Sequence, residues 1–328
     1  MPTPFTGDNA FAQEYSSTLW ITAQQKDTRF SAYVPSESFA NAEAAYFPTQ
    51  GPSDDPTPMN TRHPRTRDFV SEVAYDNRKV IPYPWANSHI LDDNDMARQK
   101  INMESGIMQT DRMSFNRKRD ILIRDAALGV AATGKNGTGP SISLYQESVG
   151  INAGGGIGYP VSLSAIGTPT AIGTYACGLT LAKILAMQLL FDQADVDPDI
   201  EKVWPIGYED RTYMLGVTTL TNADYMNIKA LTEGKPGTVC GFKWVPSNRL
   251  GFTTTGTSCR RTFAFAIGGI KMATIGEMST VAARSIDEMN NWVVLSKMDL
   301  GAVRMEGAMV HECLTLASAT NPAGDATA

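Results

Sequence analysis

The pattern of hydrophobic and polar positions divides the chain into a proline-punctuated first third, a helical stretch and a strand-rich remainder. Eight prolines fall between residues 35 and 84 among charged side chains, a composition that does not build a packed core. Residues 31–34 and 69–73 are candidates for extended strands, the second alternating in polarity as half-exposed strands do. We predict a long two-stranded excursion whose mobile tip lies around residues 51–67.

A long helical stretch follows the excursion. The run from Leu91 to Asp95 predicts a helix start, because aspartates cap free amides and complement the helix dipole. Helical sequence continues to Gly134 with a predicted break near Gly106, and the glycines and Pro140 up to residue 140 should stop the helix. Two faces are marked in its second half, an apolar stripe of Ile123, Ala127, Val130 and Ala131 and a face of Arg117, Asp120 and Arg124 whose spacing allows ion pairs.

The remainder mixes strands with short helices. Residues 141–174 are rich in small residues and predict loop and short strand, with a domain boundary near residues 173–177. Residues 179–194 are apolar nearly all round and predict a helix buried on most sides, ended by Pro198. Strands are predicted at residues 202–206, 239–246, 262–266, 271–275, 292–295, 302–305 and 309–316, with a helix at residues 208–215. Strand runs around few helices predict an α+β fold class.

Composition narrows the choice of function. The 328 residues are 42% hydrophobic, enough for a sizeable core, but only 19% charged, below the roughly 25% typical of globular domains. Part of the protein surface must therefore carry uncharged residues, and contacts between subunits are one use for such a surface. The net charge of -6 argues against a DNA-condensing protein, which needs an excess of lysine and arginine.

Targeting and cysteine signals point to a reducing compartment. The first residues lack a basic region followed by an apolar region, and no apolar run approaches the length of a membrane span, so we predict neither export nor a membrane segment. The cysteines are scattered singly, without Cys-x-x-Cys spacing, which predicts isolated thiols. They are Cys177, Cys240, Cys259 and Cys313.

The motif that most resembles a catalytic site fails on its context. Residues 129–136 match the phosphate-binding loop up to the last position, where Asn136 replaces the Ser or Thr that would bind magnesium. That loop must follow a strand and open a helix, whereas here a helix precedes it and Pro140 follows. A glycine helix stop is the better interpretation.

Other ligand patterns fail on named residues. Asp195, Asp197 and Asp199 are spaced like a calcium loop, but Ile200 and Ile206 stand where glycine and glutamate belong. The glycines of residues 154–158 run into Tyr159 and Pro160 and lack the third glycine of a dinucleotide fingerprint. The histidines are His63, His89 and His311, and only His311 has a candidate co-ligand, Cys313, on its strand face. We predict no catalytic, cofactor-binding or metal-ligating residues.

The order of elements resembles the HK97-like major capsid proteins of tailed bacteriophages. Residues 111–123 leading to the glycines of 134–139 resemble the family's spine helix and glycine loop. Residues 179–190, followed by Val203, Trp204 and Pro205, are similar to its central helix and strand. Residues 239–248, 300–304 and 310–316 resemble later strands, whereas residues 141–174 have no counterpart.

The resemblance implies a shell-building subunit and no catalysis. The expected division is an N-terminal arm (1–34), an extended loop (35–91), a peripheral domain with the spine helix (92–176), an axial domain (177–291), return strands of the peripheral domain (292–317) and a flexible tail (318–328). The family implies pentamers and hexamers, enclosure of double-stranded DNA without sequence-specific binding, and assembly in the bacterial cytoplasm. Scaffolding, portal and decoration proteins are implied partners.

Two alternatives remain open at this point. An encapsulin-like compartment shares the fold and encloses enzymes in place of DNA. A nucleotide-binding enzyme would use the loop of residues 129–136. No cofactor is expected for a shell subunit.

Overall fold

The computed structural model describes residues 21–40, 42–51, 53, 73–92, 103–139, 141–144, 179, 181–216, 238–252 and 259–316. The helices within these ranges are α1 (Met103–Leu128), α2 (Leu181–Gln193) and α3 (Tyr208–Gly216). The strands are β1 (Ser36–Phe39), β2 (Ala45–Gln50), β3 (Tyr75–Val80), β4 (Tyr83–Leu91), β5 (Val130–Ala131), β6 (Ile142–Ser143), β7 (Lys202–Ile206), β8 (Thr238–Val239), β9 (Phe242–Pro246), β10 (Cys259–Ala266), β11 (Ile270–Arg284), β12 (Trp292–Arg304) and β13 (Val310–Leu316).

A four-stranded sheet in the order β1-β11-β12-β4 carries α1 on one face. Strands β11 and β12 form a long antiparallel hairpin, and β1 joins β11 in parallel. The hairpin is interrupted by a bulge between Ile275 and Ser279, where Gly276 has a φ of 66°. On β12, the face toward α1 buries Val294, Met298 and Leu300 around the polar Ser296.

A five-stranded sheet in the order β13-β10-β7-β9-β8 is covered on both faces. Val203, Phe263 and Phe265 point to one side and share a core with α1 residues. Alternate positions, among them Trp204 and Ile206, point to the other side and pack against α2. Because strand side chains alternate, a strand buried on both faces is mostly apolar, as β7 is after its first residue, Lys202.

The predicted two-stranded excursion is present as the antiparallel pair β2–β3. Its root is packed, contrary to the expectation that this region builds no core, since Ala45, Phe47 and Val80 lie in a buried cluster with Ala273 and others. Residues 31–34 form a turn, so the strand predicted there is wrong, and the first strand begins at Ser36. The predicted tip and most of the second candidate strand lie outside the described residues.

Helix α1 differs from its prediction at both marked points. It runs unbroken through Gly106, whose carbonyl accepts a hydrogen bond from the Thr110 hydroxyl. It ends at Leu128 and not at Gly134, because a Cβ at Gly129 would lie 2.4 Å from the Asp125 carbonyl oxygen. Of the residues at which a helix start was predicted, Leu91 ends β4 opposite Trp292, and residues 93–95 lie outside the described residues.

The two predicted faces of α1 are correct only in part. Ile123 and Ala127 are buried as expected, but Val130 is exposed and belongs to β5 with Ala131. The ion pairs between Arg117, Asp120 and Arg124 are replaced by contacts with other segments, because Asp120 accepts the backbone N–H groups of Arg29 and Phe30. Arg124 pairs with Asp125.

Several later predictions need correction in their boundaries. Residues 239–246 form a hairpin with its turn at Cys240 and Gly241, whereas one strand was expected. The segments 292–295 and 302–305 belong to the single strand β12. Helix α2 ends at Gln193, before Pro198, and its Leu185 and Leu189 are exposed, so the helix is not buried on most sides. The predicted boundary at residues 173–177, the glycines of 154–158 and the C-terminal tail lie outside the described residues.

Candidate functional surfaces

The glycine segment after α1 anchors the excursion and has no phosphate-loop geometry. The Gly134 N–H donates to Asp76 Oδ1 at 2.9 Å, and the Lys79 N–H donates to the Ala132 carbonyl at 3.0 Å. Gly137 has a φ of 69°, and a Cβ there would lie 2.1 Å from Lys79 Cδ. A helix precedes this segment, as the sequence predicts, so its amides are not presented by a helix N-terminus.

The described residues contain no group of three or more side chains able to hold a metal ion. Asp195, Asp197 and Asp199 lie in an exposed turn in which the Asp199 N–H donates to Asp197 Oδ1. His311 is buried edge-on against Phe191, and burial lowers its pKa to about 4. Burial likewise raises the pKa of the Cys313 thiol to about 12, which makes it unreactive. His63 and the cysteines Cys177 and Cys259 are not described at the level of side chains.

A buried carboxylate fixes α1 to the four-stranded sheet. Asp111 is only 2% exposed, and its Oδ2 accepts the Ser296 hydroxyl at 2.7 Å. Its Oδ1 lies 2.9 Å from His89 Nε2 and accepts the Asn87 side-chain amide at 3.3 Å. Since Asn87 pairs with Ser296 and His89 pairs with Val294, all three partners lie on the α1 face of the sheet.

The segment before β1 is fixed to α1 by a second buried carboxylate. Asp120 is fully buried and accepts hydrogen bonds from the amides of Arg29 and Phe30 and from the Gln25 side chain. Burial raises the pKa of Asp120, and these hydrogen bonds oppose that rise. Phe30 then enters the main core against Phe263.

The opposite face of the four-stranded sheet is the first apolar surface left open. Leu295 lies between Val281 and Ser88, and Val293 lies between Ala283 and Ile90. Ile286 and Met289, in the turn that joins β11 to β12, are 90% and 92% exposed. We call this set the outer sheet face, made of Ile90, Val281, Ile286, Met289, Val293 and Leu295.

Two further apolar surfaces are exposed. Tyr75, the first residue of β3, is 75% exposed, and Tyr83, the first residue of β4, is 61% exposed, so the excursion and β4 each carry an aromatic side chain into solvent. On α2, Leu185 and Leu189 are four residues apart on one face and both are more than half exposed. Contiguous exposed apolar surface of this kind marks contact sites.

The protein has a closed core, a two-stranded excursion and several exposed apolar surfaces. This combination is typical of a subunit that assembles with copies of itself. Its fold is the α+β fold of HK97-like capsid subunits. The family described as "Phage capsid protein" matches residues 8–314, and the chain belongs to this family. No match is found among curated proteins. No described helix is long and apolar enough to cross a membrane.

Solved phage capsids share this fold at low sequence identity. The capsid of the cyanophage P-SCSP1u is 14% identical with a TM-score of 0.66, covering 95% of this chain and 94% of that one. The capsid of Ralstonia phage GP4 is 13% identical with a TM-score of 0.64 and covers 98% and 100%. The cyanophage Pam1 capsid is 12% identical with a TM-score of 0.62 and covers 97% and 99%. The chain is thus a major capsid protein, a structural protein of the bacteriophage virion.

Sequence patterns missed the surfaces that matter most. The outer sheet face is formed by β11, β12 and β4 together, so no single strand reveals it. On β12 both faces carry apolar residues, and the sequence does not show which face is buried. The exposed residues Ile286 and Met289 stand in a turn, where isolated apolar residues give the one signal available from the sequence.

Proposed function

We propose that this protein builds the icosahedral head by joining into pentamers and hexamers, with residues 177–291 at the capsomer axis and residues 35–91 extended over a neighbour. The observation that carries the proposal is the outer sheet face, because a sheet with one face covered and exposed apolar side chains on the other needs a partner. Repeated heterologous contact then closes a shell.

The domain division follows the predicted one with an adjustment at four strands. Strands β1 and β4 fall within the predicted extended loop and β11 within the predicted axial domain, yet all three belong to the sheet of β12, and we assign them to the peripheral domain with α1. Strand β13 falls within the predicted return strands but belongs to the five-stranded sheet, and we assign it to the axial domain. The excursion proper is then the β2–β3 pair and the chain between them.

The enclosed cargo is double-stranded DNA, and the function is assembly without catalysis. Scaffolding, portal and decoration proteins are the expected partners, and assembly takes place in the cytoplasm of the bacterial host. The glycine segment of residues 129–136 supports the absence of nucleotide chemistry, since its amide at Gly134 is already bonded to Asp76.

Negative-stain electron microscopy of the purified full chain, alone and co-expressed with its scaffold, tests the proposal. We expect hollow particles or ring-shaped capsomers, whereas a small monodisperse oligomer under both conditions would contradict it. Ile286→Ser with Met289→Ser should reduce particle yield at least fivefold. The control Asp287→Ser changes an exposed residue of the same turn and should leave particles intact.

A further inference from the structure

Four arginines from three separate segments meet beside α1. Arg117 and Arg124 lie two turns apart on the helix, Arg29 comes from the segment before β1, and Arg249 lies after β9. Arg124 Nη1 donates to the Arg249 carbonyl at 2.7 Å, and Arg29 Nη1 donates to the Pro246 carbonyl. The end of β9 and the loop after it therefore hold Arg29 and Arg124 close to Arg249. We call these four arginines the arginine cluster.

Neutral oxygens fix the positions of three of these side chains, Arg29, Arg117 and Arg124. Besides the two backbone carbonyls, the Gln24 side-chain oxygen accepts from Arg117 Nη1 at 2.6 Å. A carbonyl or amide oxygen orients a guanidinium group without cancelling its charge. Three of the four guanidinium groups are thus held in place before any anion arrives, which lowers the entropic cost of binding one.

The charge of the cluster is poorly compensated. Asp125 neutralises Arg124 at 2.6 Å, but within the described ranges Arg29, Arg117 and Arg249 form no ion pair. The fully buried Asp120 accepts the Arg29 N–H and interacts electrostatically with Arg29, so the uncompensated charge of the cluster rests mainly on Arg117 and Arg249. Burial and the positive charge of Arg249 both lower the pKa of Arg117, as expected for like charges held together.

This concentration of positive charge stands out in a chain whose net charge is -6. Arg249 is exposed, and Arg29 and Arg117 are partly exposed, so solvent and anions reach the cluster. Planar guanidinium groups bind phosphate oxygens through paired N–H donors, and closely spaced phosphates of a duplex match several arginines at once.

We infer that the arginine cluster is a contact surface for the phosphate backbone of duplex DNA. This inference rests on the proposed function, which supplies the DNA. The contact is independent of sequence, because phosphates carry no base information. The acidic remainder of the chain limits adhesion, so packaged DNA is touched at spaced points and is not condensed.

Fluorescence anisotropy with a fluorescein-labelled 20-base-pair duplex, titrated with the purified full chain from 25 to 200 mM salt, tests the inference. The double variant Arg117→Gln with Arg249→Gln keeps hydrogen-bonding side chains and removes two charges. We expect at least tenfold weaker binding at 25 mM salt and a salt slope smaller by about 2, from about 0.9 per phosphate contact.

The matched control is Lys297→Gln with Arg284→Gln, which removes two charges from the β11–β12 hairpin. It should change the affinity less than twofold. Equal losses in both double variants, or no binding by the wild type at 25 mM salt, would overturn the inference. So would unchanged DNA binding combined with lost binding of an acidic scaffold peptide, which would make the surface a protein contact.

Electron microscopy of the same variants separates this inference from the proposed function. The Arg117→Gln and Arg249→Gln variant should still form shells of wild-type size, because its change lies outside the outer sheet face. Shells without duplex binding in the wild type would refute the DNA contact alone. A wild type that never forms shells would refute the proposed function, whatever the anisotropy shows.

Discussion

The two large sheets of this subunit use their faces in opposite ways. The five-stranded sheet is buried on both faces, with Trp204 stacked on Trp244 at a ring distance of 4.8 Å on one side. The four-stranded sheet buries one face under α1 and leaves the other open, with Leu295 37% exposed and Ile286 90% exposed. The first sheet stabilises the monomer, and the second keeps apolar area for a neighbour.

This difference predicts which substitutions should change the free energy of unfolding and which should change assembly. A change in the closed sheet should lower the free energy of unfolding, since the lost contacts lie within one chain. A change on the outer sheet face should leave unfolding nearly unaffected and reduce assembly. Four predictions test the contrast, from the largest expected effect to the smallest.

Trp204→Ala should give the largest loss, about 3–5 kcal/mol of unfolding free energy. The indole is fully buried, and its N–H donates to the Thr262 hydroxyl at 3.3 Å. Urea denaturation followed by circular dichroism measures the change. Trp292→Ala, at the half-exposed start of β12, is the control and should cost less than about 1.5 kcal/mol; equal losses would contradict the proposed roles of the two sheets.

Arg304→Met should cost about 3 kcal/mol, because it removes a fully buried guanidinium group while keeping most of the side-chain volume. Arg304 Nη1 donates to the carbonyls of Ala127 and Gly129, and Nη2 donates to the Ile142 carbonyl. These oxygens end α1 and would lose their donors. The exposed Arg284→Met is the control, and the same denaturation measurement should find it within about 0.5 kcal/mol of wild type.

Asp210 should make the closed sheet sensitive to pH. Burial raises the pKa of Asp210 to about 6, partly opposed by the Gly207 N–H, which donates to Asp210 Oδ2 at 3.0 Å, and by the charge of Arg260. A carboxyl with a raised folded-state pKa contributes stability below about pH 4 that is lost as the pH rises through 6. Asp210→Asn should remove that loss, on the order of 3 kcal/mol by pH 7.

The measurement for Asp210 is the difference between the wild-type and variant stability curves from pH 4 to pH 7. His311 titrates in the same window with the opposite sign, because its pKa is lowered by burial to about 4. The difference curve cancels His311 and leaves the contribution of Asp210. A flat difference curve would refute the role of Asp210.

Neighbouring positions on β12 give the smallest effect on stability and the sharpest contrast. Val294→Ser changes a fully buried side chain facing α1 and should cost about 2–3 kcal/mol. Leu295→Ser changes the adjacent outer side chain and should stay within about 0.5 kcal/mol of wild type while lowering particle yield in electron microscopy. The contrast fails if Leu295→Ser unfolds the subunit or leaves the particle yield unchanged.

Local sequence patterns predicted correctly those helices and strands whose bounds are marked by nearby residues. Strand β7 matches its predicted bounds, and α3 begins at its predicted first residue, because four consecutive apolar residues follow Lys202 and Gly207 separates the two elements. The break predicted near Gly106 is wrong, since a single glycine lowers helix propensity by only about 1 kcal/mol and α1 continues through it. The absence of a catalytic site was predicted from residues that fail each motif, and it stays a prediction.

The sequence by itself determined the α+β class, the two-stranded excursion and the order of elements, since propensity and side-chain alternation act over a few residues. Tertiary structure decided which apolar face stays open and which charges are buried. Lys183 is 3% exposed and donates to the Leu314 carbonyl, and Asp120 holds a segment about ninety residues away. Such burial depends on partners far apart in the chain, and no local pattern records them.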